Sequence, residues 1–366
     1  MQGVGFRPYV YRLAGQLSLG GFVLNDSNGV LIEVEGAEAA VAEFLSRLPR
    51  QAPPRACIER VLTEPCTARE PTGFAILASA RSGTPEAPVA PDTATCAECV
   101  AELLDHADRR FRYPFINCTN CGPRFTIVRG IPYDRPLTTM ASFTMCERCR
   151  SEYEDPGDRR FHAQPNACPA CGPSLTLIRG DGLGPATAPA RAAAEPPDAI
   201  AAAAAALREG AILAVKGIGG FHLACRADDE AAVAALRSRK HREDKPFALM
   251  VRDLPAASAL VRLGEGERAL LSAPECPIVL ARRRAGAAVA SSVAAGAREL
   301  GVMLPYSPIH HLLLADAGMP LVMTSGNISD EPIAYREEDA LARLRSVADL
   351  FLIHDRPIQT PTDDSV

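Results

Sequence analysis

Four Cys-x2-Cys pairs constrain this chain more than anything else in it: Cys96/Cys99, Cys118/Cys121, Cys146/Cys149 and Cys168/Cys171. The gap between the first and second pair is 118 − 99 − 1 = 18 residues, and that between the third and fourth is 168 − 149 − 1 = 18. Equal spacing implies a duplicated unit, and the offset is 146 − 96 = 50 residues. Each unit offers four thiolates, which suits one tetrahedral zinc. Four protein ligands leave no open position for water or substrate, so both ions are expected to be structural.

The repeat extends beyond cysteine. Both units carry Asp-Arg-Arg-Phe (Asp108–Phe111 and Asp158–Phe161) and end in Cys-x2-Cys-Gly-Pro. His106 and His162 lie inside the units without a ligand-like histidine partner and read as surface residues. Arg109, Arg110 and Arg112 read as a solvated basic face or a domain interface.

The remaining 366-residue composition bounds the answer. Net charge is −5, so no global basic field points to nucleic acid. No run of 18 apolar residues and no signal-peptide pattern stands out. Regular Cys-x2-Cys pairs in a long chain favour metal in a reducing compartment over disulfides. The expectation is a cytoplasmic chain without membrane contact.

Two Pro/Gly/Ala-rich stretches divide the chain, giving expected parts at 1–78, 95–178 and 198–353, linkers at 79–94 and 179–197, and a trailing 354–366. The first part reads loop–α–β–β–α–β. Pro8 suits a helix's first turn, Gly20–Asn25 and Val30–Glu35 alternate as strands around an Asn-Gly turn, Ala37–Leu48 is helical, and Phe74–Leu77 is a short strand. The third part opens with a helix capped by Asp198 and ended at Gly210. Strand Ala211–Lys216, helix Asp229–Arg239 and strands Phe247–Val251, Cys276–Ala281 and Leu321–Thr324 follow. His310 and His311 are expected to cap or pack a helix starting near Pro308.

Two segments carry anion-binding chemistry. Gln2-Gly3-Val4-Gly5-Phe6-Arg7 stands just before a helix, where glycine amides and the helix N-terminus can converge on a phosphate and Arg7 can grip two of its oxygens. Read alone, a glycine turn with a surface arginine explains it equally well. Farther on, Lys240, Arg242 and Lys245 belong to a run of five basic residues within positions 237–245, before an apolar strand, and Thr324, Ser325 and Asn327 end another strand.

Resemblance sharpens these readings. QGVGFRPYVYRLA…GFVLNDSNGV resembles the acylphosphatase signature, which implies Arg7 and Asn25 as the catalytic pair, Gln2–Phe6 as the phosphate cradle, and a ferredoxin-like fold whose first strand would precede residue 1. Lys240-x-Arg242-x-x-Lys245-Pro and Thr324-Ser325-x-Asn327 resemble the YrdC family, which implies an ATP-binding α/β domain that makes carbonyl adenylates. The order of parts, with DRRFRYPFINCTNCGPRFTI between them, resembles the hydrogenase-maturation carbamoyltransferases, the HypF family. The fold class expected is therefore α+β and multidomain, with an acylphosphatase-like domain, tandem zinc-finger-like modules and a YrdC-like domain.

That resemblance implies hydrolysis of carbamoyl phosphate, ATP with Mg2+ as a substrate, two zinc ions, and a HypE-type partner whose C-terminal cysteine receives the carbamoyl group. The closing HDRPIQTPTDDSV looks like the join to that family's transferase domain, expected to be absent here. The rival readings are an RNA-binding module, with weak RNA affinity in the YrdC-like part, and a threonylcarbamoyl-adenylate synthase.

Overall fold

The computed structural model describes residues 3–26, 29–53, 55–67, 69, 73–79, 88–180, 198–328 and 331–366. The chain forms two compact units, one from residues 1–92 and 117–172 and one from 93–116 and 173–366.

The first unit begins with α1 (Phe6–Gln16), followed by the hairpin β1 (Gly20–Asn25) and β2 (Val30–Glu35), then α2 (Glu38–Arg50) and β3 (Phe74–Ile76). In α1, Val10, Leu13 and Ala14 recur at helical spacing and are buried, giving the helix one apolar face. That face packs on Val23 of β1 and on Phe44 and Leu48 of α2. Burying each large side chain contributes about 1.5–3 kcal/mol, so Leu13→Ala would strike the centre of this small core. The sheet order is β2-β1-β3, with β1 antiparallel to β2 and parallel to β3. Register runs from Gly20↔Glu35 to Asn25↔Val30, which puts Asn25 at the strand's end. The Asp26 carboxylate closes the turn by accepting the Gly29 N–H at 2.7 Å; Ser27 and Asn28 of the expected Asn-Gly turn lie outside the described residues.

The cysteine modules repeat in structure as in sequence. Cys96 precedes α3 (Ala97–Leu104) and Cys146 precedes α4 (Glu147–Glu154), each acting as the N-cap residue. After each helix an aspartate folds the chain: Asp108 and Asp158 accept the N–H of Arg110 and Arg160, both at 2.7 Å. The basic residues here depart from a solvated face. Arg110 is 1% exposed and Arg160 4%. Arg160 Nε donates to the Asn117 carbonyl at 3.1 Å, and Arg112 forks onto Asp316 at 3.0 and 2.6 Å. These guanidiniums tie loop backbone and carboxylates together.

In the second unit, β4 (Leu175–Arg179) is followed by α5 (Ala199–Arg208), β5 (Leu213–Lys216), β6 (Phe221–Arg226), α6 (Glu230–Arg239) and β7 (Ala248–Met250). Then come α7 (Leu254–Leu260), α8 (Glu265–Leu271), β8 (Val279–Arg282), β9 (Glu299–Met303), α9 (Pro308–Ala317), β10 (Leu321–Ser325), α10 (Glu337–Leu344) and β11 (Leu350–His354). Asp198 caps α5 by accepting from Ile200 and Ala201, and Gly210 follows its end at φ 89°. Asp229 caps α6 in the same way. Eight strands form one sheet in the order β4-β11-β5-β6-β10-β7-β9-β8. The pairs β5/β11 and β7/β9 are parallel, while β5/β6, β6/β10 and β10/β7 are antiparallel. Strands β5, β6 and β10 are buried on both faces, so polar and apolar residues do not alternate along them.

Candidate functional site

A cavity in the first unit joins the glycine loop to Asn25. Gly3 and Gly5 adopt left-handed conformations, with φ of 85° and 73°. A Cβ on Gly5 would lie 2.9 Å from the Thr119 methyl, so only glycine fits this approach. Gly5 is the residue before α1, and Arg7 and Pro8 lie in the helix's first turn, where backbone N–H groups lack helical partners. Arg7 (8% exposed) and Asn25 (5%) both line the cavity, so the expected pair meets in space. Its volume is ≈ 40 Å³; roughly 10–15 Å³ suffices for one water, so it suits a group of a few heavy atoms. Of the expected cradle, Gly3, Gly5 and Phe6 line the cavity. Val4 is buried at 5% exposure, and Gln2 lies outside the described residues.

Residues 119–164 build the opposite wall. Arg124, 3% exposed, donates to the carbonyls of Gly3 (2.7 Å), Thr119, Cys121 and Pro123 (2.9 Å each). It thereby pins the glycine loop to the chain around the second cysteine pair. Arg7 donates to Asp134 Oδ1 at 2.8 Å and to Ser79 Oγ at 3.1 Å. His162 also lines the cavity, which corrects its reading as a surface residue. Burial, and then the charge of Arg7, lower its pKa to about 4, so the ring is neutral near pH 7. Nothing local in the sequence marks it; only its position in the second repeat could have drawn attention to it.

Both cysteine quartets form candidate metal-ligand sets. Four sulfurs placed about 2.3 Å from a zinc in a tetrahedron stand about 3.8 Å from one another. Cys146–Cys168, Cys168–Cys171 and Cys171–Cys149 lie 3.8, 3.7 and 3.6 Å apart. Cys118 and Cys121 are separated by 3.7 Å. These spacings fit structural zinc and are far from a disulfide's bond length. The backbone N–H of Cys149 aids the thiolate by lowering the Cys146 pKa.

The second unit gathers its two sequence motifs. Lys240, 1% exposed at the end of α6, donates to the carbonyls of Ser325 (2.7 Å) and Asn327 (2.6 Å) and to the Asn327 side chain. Ser325 Oγ donates to Asn327 Oδ1 at 2.8 Å. Thr324 is buried at 7% exposure, one residue inside β10. Arg242 donates to the carbonyls of Lys245 (3.0 Å) and Pro246 (2.8 Å), and its guanidinium sits 5.3 Å from the Phe247 ring centre. Lys245 is exposed. Burial and the neighbouring Arg242 charge lower Lys240 to about 7.

Further groups gain their partners in three dimensions. Lys216 (2% exposed) donates to Glu337 at 2.6 Å and to the His354 carbonyl at 2.8 Å. His222 Nε2 stands 3.0 Å from Asp364 Oδ2 and 3.4 Å from the Tyr306 hydroxyl. Thr362 N donates to the Gly219 carbonyl at 3.1 Å, so residues 362–364 lie along the glycine turn after β5. His310 packs inside α9 as expected, while Ser307 provides the cap.

Three family models match: Acylphosphatase over residues 1–76, HypF finger over 95–128 and 145–178, and the Sua5/YciO/YrdC model, described as Telomere recombination, over 205–366. Carbamoyltransferase HypF2 of Cupriavidus necator is 50% identical over the whole chain and 46% of its own length. Carbamoyltransferase HypF of Synechocystis is 48% identical with the same coverage. A crystal structure of full-length HypF in a phosphate- and nucleotide-bound form superposes with a TM-score of 0.93 at 46% identity, covering 100% of this chain and 46% of that one. The chain thus spans about half the length of the curated relatives it matches, and its three-part fold class is as the motifs implied.

Proposed function

The chain belongs to the HypF carbamoyltransferase family, and from that premise we propose that it carries the carbamoyl-phosphate-hydrolysing and carbamate-adenylating chemistry of [NiFe]-hydrogenase maturation. The meeting of Arg7 and Asn25 on one small cavity is the observation that supports this most. Arg7 and the amides of residues 3–6 hold the phosphate. Asn25 orients a water that attacks phosphorus; the P–O bond to the carbamoyl group breaks, and phosphate and carbamate leave.

In the second unit, Lys240, Arg242, Lys245, Thr324, Ser325 and Asn327 hold ATP, which enters with Mg2+. Carbamate oxygen attacks the α-phosphorus, pyrophosphate departs, and carbamoyl adenylate forms. The cations offset charge growing on the leaving oxygens. The Lys240–Asn327 link supports this reading, since it ties the two motifs into one place. Transfer of the carbamoyl group to the C-terminal cysteine of a HypE-type partner, with AMP departing, completes the sequence, in a reducing cytoplasm that keeps the quartets' thiolates available for zinc.

ATP–pyrophosphate exchange tests the reading. Exchange should require carbamoyl phosphate. Exchange supported by threonine and bicarbonate, with none from carbamoyl phosphate, would assign the chain to threonylcarbamoyl adenylation instead.

A further inference from the structure

Because the modules repeat at an offset of 50 residues, equivalent positions can be compared one by one. Arg112 and His162 are such a pair. Both hold positive φ, 55° and 54°. Each donates its N–H to the carbonyl at the same repeat position, Leu103 at 2.8 Å and Tyr153 at 3.0 Å. A left-handed backbone costs a non-glycine residue roughly 1–2 kcal/mol, and both modules retain it. The backbone has been copied faithfully while the side chains have taken different tasks. Arg112 is spent on Asp316 and Asp198. His162 faces the cavity that holds Arg7 and Asn25.

The surroundings of His162 have changed with it. Where the first module has Pro114, the second has Gln164, 2% exposed. Gln164 Nε2 donates to the His162 carbonyl at 2.9 Å, and its Oε1 accepts from the Arg135 N–H at 2.7 Å and the Tyr153 hydroxyl at 3.1 Å. The rings of Phe161 and Tyr153 stand 4.6 and 4.9 Å from the imidazole. The segment carrying His162 is therefore held in place by several elements of its own unit.

The other polar side chains on this wall are already engaged. Arg124 and Gln164 use their groups on the partners given above; Thr119 Oγ1 donates to the Phe161 carbonyl at 3.0 Å, and Tyr133 to the Pro123 carbonyl at 3.4 Å. No hydrogen bond from a described residue engages the His162 ring. A neutral imidazole presents one acceptor nitrogen and one N–H donor. Carbamoyl phosphate differs from other small acyl phosphates by an NH2 group on the acyl carbon, and an NH2 group needs an acceptor.

We propose that His162, supplied by the second cysteine module, is a specificity residue that accepts a hydrogen bond from the carbamoyl NH2 while Arg7 holds the phosphate, with Gln164 as its positioning residue. This rests on the phosphate site proposed above. It assigns one module a role in substrate choice in addition to metal binding.

The test compares two substrates and two inert analogues on the full chain. Carbamoyl and acetyl phosphate are compared by kcat/KM, and phosphonoacetamide and acetonylphosphonate, which differ as NH2 against CH3, by calorimetric affinity. His162→Ala should lose about tenfold more on carbamoyl phosphate than on acetyl phosphate, the worth of one hydrogen bond, and should erase the preference for phosphonoacetamide. His162→Gln, which keeps an acceptor, should restore part of that preference. Equal losses on both substrates, or an unchanged analogue ratio, would overturn the proposal and leave His162 as wall packing. Arg7→Ala tests the underlying site separately: it should abolish hydrolysis of both substrates. Wild-type protein that neither hydrolyses an acyl phosphate nor binds either phosphonate would sink the phosphate site, and the role of His162 with it.

Discussion

Asp134 Oδ1 sits 2.8 Å from Arg7 Nη2, with the arginine 9% and the aspartate 26% exposed at the side chain. The Arg7 guanidinium on the cavity thus already has a carboxylate beside it. That carboxylate orients Arg7, and it also subtracts from the positive field an incoming dianion would feel. At about 4 Å and an effective dielectric near 20, two unit charges interact by about 4 kcal/mol before desolvation and screening, so the second effect is not small. Asp134→Asn keeps an oxygen acceptor for Arg7 and removes only the charge. Inorganic phosphate should then inhibit acyl-phosphate hydrolysis at about 5- to 10-fold lower concentration. Weaker inhibition would mean that orientation outweighs charge.

Arg124 should matter for both folding and substrate binding. Its buried guanidinium satisfies the carbonyls of Gly3, Thr119, Cys121 and Pro123. Arg124→Ala strips a charged donor from these carbonyls and should cost about 3 kcal/mol or more, read as a lower denaturation midpoint. KM for acyl phosphate should rise as the glycine loop loosens. Arg124→Lys should recover little, since an ammonium cannot span the same fork of acceptors. Full rescue by lysine would contradict this account.

Metal analysis should find about two zinc ions per chain. Cys168→Ser should leave about one, because the sulfurs of Cys146 and Cys171 lie within 3.8 Å of Cys168 and share its site. Structural zinc contributes on the order of 10 kcal/mol in small finger peptides, so chelation should open residues 146–171 to protease first. Chelated protein that resists cleavage there would argue that packing alone holds the module.

Nucleotide affinity should depend on pH through Lys240. Burial and Arg242 lower its pKa to about 7, while the charge of Asp363 works in the opposite direction. The charged amine favours a polyphosphate, so ATP should bind more tightly at pH 6 than at pH 8, by severalfold. Lys240→Met should bind weakly and with a flatter profile over that range. An unchanged slope in the variant would place the titrating group elsewhere.

What the sequence reveals here follows from the range of the forces involved. Capping is local, so Asp198 and Asp229 mark their helices at once. Metal spacing is local too, and the quartets are legible from cysteine alone. Strands β6 and β11 are harder: Phe221–Arg226 is nearly all buried and Leu350–His354 is buried or half-buried throughout, and no alternation marks them as strands. Hardest are pairings across long separations. Arg7 meets Asp134, 127 residues away, and Lys216 meets Glu337, 121 residues away. His162 belongs with these. Its neighbours in sequence suggest a surface position, and only the folded first unit makes it part of a cavity wall.

The Gly5–Thr119 approach, with 2.9 Å between a hypothetical Cβ and the threonine methyl, has a practical consequence for anyone dissecting this protein. The acylphosphatase match ends at residue 76, yet half of the cavity wall comes from residues 119–164. Expressing residues 1–78 alone would isolate the Arg7–Asn25 pair in an open half-cup, without Arg124 to shape its rim. Sequence similarity marks one border and the cavity wall another, so residues 1–78 are not a transplantable part.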